Sequence, residues 1–77
     1  MDIKRHEKTY KRICKNIARL RRDREYTQET FADKIGISYS YYAQIEAPNV
    51  FVGISLPVLL DIANALEVNI KDLFEGC

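Results

Sequence analysis

The sequence predicts an all-α fold, a compact five-helix bundle, and three observations predict it. Apolar residues recur at three- and four-residue spacing along most of the 77 residues. Residues that cap or stop helices stand at the ends of those periodic runs. The strand signature is missing, since there is no Trp and almost no Val-rich alternation. At 47% hydrophobic residues, the chain holds one domain with a small core that is sufficient without crosslinks.

Residues 1–9 read as a charged N-terminal arm (DIKRHEK and its flanks) with no apolar period, in which His6 is a solvated side chain. The helical domain spans residues 10–77. Tyr10, Ile13, Ile17 and Leu20 space at three, four and three, which predicts an amphipathic first helix to about residue 24. Its far face carries Lys8, Lys11, Arg12, Lys15, Arg19 and Arg22. Arg21 falls on the shoulder of the apolar stripe, where it needs a carboxylate partner or must lie along the edge of the core. Tyr26 closes the corner.

Residues 27–46 contain two short helices and a tight turn. Thr27 suits the first N-cap, and Phe31, Ala32 and Ile35 share one face. Gly36 then stops that helix, because glycine enters the left-handed region without a Cβ clash. Ile37 plugs the turn and Ser38 caps the next helix. There Tyr42 and Ile45 point inward, while Tyr39, Ser40, Ala43 and Gln44 point outward. The stretch 28–46 is therefore a helix-turn-helix candidate. Glu29 and Asp33, on the exposed side, read as solubilising residues.

Pro48, Asn49 and Gly53 signal a loop over residues 47–54. Ser55 is the next cap, with Pro57 in the first turn, where a missing N–H costs little. Leu56, Leu59, Leu60, Ile62, Ala63 and Leu66 make a densely apolar fourth helix. Asn69, followed three residues later by Asp72, starts a short fifth helix containing Leu73 and Phe74.

The formal net charge of +1 conceals a division. Residues 1–24 carry ten basic and three acidic side chains, a net +7; the remainder carries two basic and eight acidic, a net −6. A basic segment beside a helix-turn-helix marks a phosphate-facing side, with Lys11, Lys15 and Arg22 as the expected contributors. No apolar run reaches the roughly 18 residues of a membrane span, and the charged N-terminus leads to the expectation of a cytoplasmic protein. Cys14 and Cys77 lack metal-ligand spacing and are expected to be reduced thiols, with no metal and no cofactor. Enzyme activity is not expected, because no Cys/His pair, glycine-rich phosphate loop or serine elbow is present.

The segments Ile17-Ala18-Arg19-Leu20-Arg21, Thr27-Gln28, Phe31-Ala32, Ile35-Gly36-Ile37-Ser38 and Ile45-Glu46 carry a family resemblance, continued by Leu59, Ile62-Ala63, Leu66 and Leu73-Phe74. Over about residues 13–74 the chain resembles the Cro/repressor-type (XRE-type) helix-turn-helix regulators, including small members such as restriction–modification controller proteins. The resemblance implies a lambda-repressor-like DNA-binding domain. Its second motif helix enters the major groove, and a homodimer reads palindromic double-stranded DNA at half-sites about one helical turn apart. The base contacts it implies are Tyr39, Ser40, Ala43 and Gln44. Gln28, Ser38 and Tyr41 join the cations as DNA backbone contacts, Gln28 also bracing the reading helix. A structural ion pair between Arg21 and Glu46 is implied as well.

This sequence departs from the family pattern at three places. The reading helix has no Arg or Lys on its outer face, so the bidentate fork to guanine is absent, though Gln44 suits adenine and Ala43 a thymine methyl. The loop after Glu46 is apolar at Val50, Phe51 and Val52 and about two residues longer than usual. Glu67 stands where the family favours glycine, a strain of roughly 1 kcal/mol if the backbone stays left-handed.

Two functions follow. The first is a homodimeric, sequence-specific transcriptional regulator. The alternative is an antitoxin or other protein-interaction module on the same fold, engaging a protein partner through Val50, Phe51 and Val52. The last two helices hold more apolar residues than one small core absorbs. Val58, Leu60, Ile70 and Phe74 are therefore the expected dimer interface, and the apolar loop either folds back over the fourth helix, the favoured arrangement, or extends that patch.

Overall fold

The computed structural model describes residues 3–48 and 50–77; residues 1–2 of the expected arm and the loop signal Asn49 lie outside them. Four α-helices, α1 (Glu7–Asp23), α2 (Gln28–Ile35), α3 (Tyr39–Glu46) and α4 (Leu56–Leu66), surround a single core. Short 3-10 segments, Ile3–His6 and Ile70–Phe74, flank them, and no strand occurs among the described residues. The five-helix expectation is thus corrected to four. The last apolar segment, at five residues, winds as a tighter 3-10 turn, the form in which short helical pieces commonly occur.

Helix α1 starts earlier than the apolar period suggests, so Glu7, Lys8 and Thr9 of the charged arm are helical. Glu7 supplies the reason. It sits in the first turn, where the helix dipole favours an anion, and pairs with Lys11 four residues on at 3.2 Å.

Side chains define the later helix starts. Thr27 accepts from the Thr30 N–H, while the Thr27 N–H donates to Thr30 Oγ1, both at 3.0 Å. Ser38 Oγ accepts from the Tyr41 N–H at 3.0 Å, and Ser55 Oγ from the Val58 N–H at 3.3 Å. The Asp72 carboxylate accepts from the Asn69 N–H at 3.0 Å. Gly36 ends α2 at φ 79°, and this turn aims α3 across α1 and α2.

Ile17, Phe31, Tyr42, Ile45, Ile62, Leu66 and Leu73 are fully buried. The Phe31 ring meets Tyr42 edge-on at 5.3 Å and Tyr26 at 5.4 Å, linking the α1–α2 corner to α3. Asn16 is a buried polar residue that the apolar pattern did not single out. Its Nδ2 donates to the carbonyls of Leu73 (3.0 Å) and Glu75 (2.9 Å), tying the C-terminal turn to α1.

The apolar loop departs from expectation. Phe51 folds back onto α1, not α4; its ring lies 5.9 Å from Tyr10 and beneath the Lys11 ammonium. Val52 packs against the core, leaving Val50 exposed. Of the residues expected in an exposed apolar patch, Val58 and Ile70 are partly buried against the core, because their positions turn toward it. Leu60 (48% exposed) and Phe74 (37%) stay open, and so does Leu56 (60%).

Glu67 ends α4 at φ 59°, and Glu25 follows α1 at φ 63°. The left-handed backbone at Glu67 is therefore kept without glycine. Glu67→Gly is expected to stabilise the domain by about 1 kcal/mol, since Glu67 gives only an exposed ion pair with Arg24 at 3.6 Å in return. Thermal melting should show a rise of roughly 4–8 °C. An unchanged or lower midpoint would show that the left-handed turn is not strained.

Candidate nucleic-acid interface

The site is built on one carboxylate. Glu46, at the last turn of α3, accepts four hydrogen bonds. Arg21 of α1 reaches it with two, Nε to Oε2 at 2.7 Å and Nη2 to Oε1 at 3.1 Å. Gln28, the first residue of α2, donates Nε2 to Oε1 at 2.9 Å, and the Tyr42 hydroxyl donates to Oε2. Arg21 also donates Nη1 to the Tyr26 carbonyl. The Arg21 and Glu46 side chains are 11% and 6% exposed, so the pair is nearly out of water.

Burial by itself would raise the Glu46 carboxyl. The hydrogen bonds from Arg21, Tyr42 and Gln28, with the Arg21 charge, outweigh it and hold the pKa below 4.5. Arg21 is raised in turn by its bonds to Glu46, against the effect of burial. Tyr42 is raised by burial and by donating to Glu46, so it remains a neutral donor. Charge, donor count and geometry agree, and each oxygen of Glu46 accepts two donors.

With α3 held at its end, its outer face is free. Tyr39 (53% exposed), Ser40 and Gln44 are exposed and Ala43 is half-buried, all on the side away from the core. Tyr41 was also expected as a backbone contact. It is half-buried, and its hydroxyl donates to the Gly53 carbonyl at 3.2 Å, fastening the loop to α3. Ser38 caps α3, its oxygen already engaged.

An open groove of about 890 Å³ runs along α1 between the loop and the C-terminal turn. Lys11, Lys15, Arg22 and Gln28 all line it, so four of the six expected backbone contacts share one surface, while Ser38 and Tyr41 lie outside. Arg12, Arg19, Phe51 and Glu75 complete its walls. Several of these cations are engaged internally. Lys11 pairs with Glu7, Arg12 Nε donates to the Glu75 carbonyl at 3.2 Å, and Arg19 lies 3.7 Å from the Glu75 carboxylate. Lys15 and Arg22 have no carboxylate within 4.0 Å among the described residues.

Cys14 also borders the groove, but burial pushes its thiol up to about 11. It is protonated near neutral pH and unsuited to nucleophilic work. Burial likewise pushes Tyr10 up to about 12, and its buried hydroxyl has no hydrogen-bond partner among the described residues. Cys77 is exposed.

A family model described as a helix-turn-helix domain matches residues 14–76, which takes in the ion pair, the motif and the C-terminal turn. The chain belongs to this helix-turn-helix family, of the Cro/XRE type. No curated protein and no solved structure gives a match. Among the described residues, no helix of this helix-turn-helix protein is long and apolar enough to cross a membrane.

Two participants escaped the sequence reading. Tyr42 was assigned to the core, yet its hydroxyl serves Glu46; the signal was its position four residues before an acid on one helix. Phe51 was expected over the fourth helix, and no local spacing relates it to Tyr10.

Losing one member of the Arg21–Glu46 pair strands the other in a nearly dry site. Glu46→Ala is expected to cost about 3–5 kcal/mol, and a double-mutant cycle with Arg21→Ala to show a coupling of at least roughly 1 kcal/mol. Because the folded Glu46 pKa lies below 4.5, the carboxylate's contribution is complete above that pH and is lost as pH falls through the folded value. The wild type should therefore lose more stability than Glu46→Gln on acidification below pH 4.5 in denaturant titrations. Parallel curves would show that Glu46 carries no net linkage.

Proposed function

We propose that the protein is a sequence-specific DNA-binding transcriptional regulator that acts as a homodimer. The observation that carries this reading is the mounting of α3. Its end is locked to α1 and α2 through Glu46, while Tyr39, Ser40, Ala43 and Gln44 face outward. A reading helix needs this combination, because base-edge hydrogen bonds discriminate only when the donor and acceptor positions are fixed. The groove supports the same reading from the side, with Lys15 and Arg22 free to meet phosphates and Gln28 joining groove and motif.

A single helix of eight residues buries little DNA surface, so two copies are the economical arrangement. Leu56 and Leu60, four residues apart on α4, and Phe74 on the adjoining 3-10 turn supply exposed apolar surface for a two-fold contact. Half-sites of a palindrome would then lie roughly 34 Å apart, one helical turn.

The alternative, a protein-interaction module such as an antitoxin, is favoured by the exposed Val50 beside Phe51 and by the cation-free outer face of α3. Genomic context separates the finer roles. A methyltransferase-like neighbour would favour a restriction–modification controller, and a toxin-like neighbour the alternative.

Sedimentation at micromolar concentration is expected to give a dimer, weakened by Leu60→Glu. A monomer that stays monomeric on adding a palindromic site would remove both the dimer and the half-site geometry. Affinity should fall steeply with salt through counterion release. Reversing Lys11 and Lys15 to Glu should flatten the slope of log K against log salt by about 2, roughly one per phosphate contact. An unchanged slope would assign that face to solubility.

A further inference from the structure

We infer that the protein reads A·T pairs, with Gln44 on adenine and Tyr39 and Ala43 on thymine methyls, an assignment that rests on the DNA-binding reading above. The inference comes from which groups on α3 the fold leaves free. Tyr42 and Ile45 are buried, Glu46 is saturated by Arg21, Gln28 and Tyr42, and the Tyr41 hydroxyl is spent on the Gly53 carbonyl. The outer face is left with one hydroxyl aromatic, one small hydroxyl, one methyl and one carboxamide, and with no cation.

Guanine presents two acceptors, N7 and O6, in the major groove, and reading both takes two donors from one side chain. Nothing on this face supplies them as a two-nitrogen fork. Both N–H groups of Gln44 sit on one nitrogen, so laid edge-on against a base its carboxamide presents one donor beside one acceptor, the complement of adenine N7 and N6–H; against guanine in that pose its oxygen would face O6, acceptor to acceptor. Gln28 does not replace it, because its Nε2 is held by Glu46 at 2.9 Å.

Thymine adds a methyl group to the major groove, which an apolar surface recognises. Ala43 and Tyr39 lie four residues apart, one above the other on the same strip of α3, and Gln44 adjoins that strip. The Tyr39 ring is the most exposed aromatic of the helix, and no ring partner engages it among the described residues. Ser40 pairs with either base type and carries no preference.

The test is selection of bound duplexes from random DNA with the purified full chain, followed by titration of the selected site with altered bases. Enrichment of A·T pairs is expected under the reading helix. Replacing N7 of one adenine by carbon should weaken binding about 5–100-fold in the wild type and leave Gln44→Ala unaffected. Circular dichroism would show that this surface variant is folded. Uracil in place of thymine, which removes the methyl, should cost about fourfold per contacted position.

A selected core of G·C pairs, sensitive to carbon in place of guanine N7, would overturn the inference and leave DNA binding standing. So would A·T enrichment insensitive to both replacements, which would mean that the duplex is read by its shape. Absence of any binding at low salt would overturn the DNA-binding reading itself.

Discussion

The Glu46 carboxylate is the constraint on which the rest of this small domain depends. It stands where α1, α2 and α3 meet, and it takes a donor from each: Arg21, Gln28 and Tyr42. An ion taken this far out of water is costly unless its lone pairs are filled. Here they are filled by groups from three elements, so the charge is stable only in one relative arrangement of the helices. A wholly apolar contact would leave more ways for an eight-residue helix to slide or rotate. The aromatic chain Tyr26–Phe31–Tyr42 provides the packing behind this polar knot, and the two together fix both the tilt and the rotation of α3.

That rigidity divides the labour between surfaces. The outer face of α3 carries no charge, while the flank along α1 carries the cations that border the groove. In the proposed complex, attraction to DNA comes from the flank and is indifferent to sequence, whereas discrimination comes from the neutral face. The apolar loop adds structure rather than charge. Phe51 covers Tyr10, and the Tyr41 hydroxyl holds the Gly53 carbonyl, so a segment without cations still shapes the groove wall. The C-terminal turn closes the other end through Asn16, Arg12 and Arg19.

What could be read from the sequence was local or carried by resemblance. The caps at Thr27, Ser38 and Ser55 and the stop at Gly36 depend on side chains within three residues, and spacing reveals them. The partner of Arg21 came from resemblance; spacing alone said that one was needed. Illegible features depend on contacts between distant segments. Asn16 meets carbonyls 57 and 59 residues away, and Phe51 chooses α1 over α4 through a ring contact that no periodicity encodes. The exposure of Leu56 and the partial burial of Val58 follow from how α4 is rotated on the core, which a uniformly apolar helix does not disclose. The left-handed Glu25 is likewise invisible, since nothing in its residue type favours that backbone.

The central claim is that Glu46 holds α3 so that its outer face meets DNA. Amide chemical-shift mapping of the labelled protein, titrated with a selected duplex at low salt, tests it most directly. The account predicts the largest changes at Tyr39, Ser40, Ala43 and Gln44, smaller ones at Lys15, Arg22 and Gln28 along the groove, and none at the core. Changes confined to Val50, Phe51 and the groove wall, with α3 silent, would contradict it.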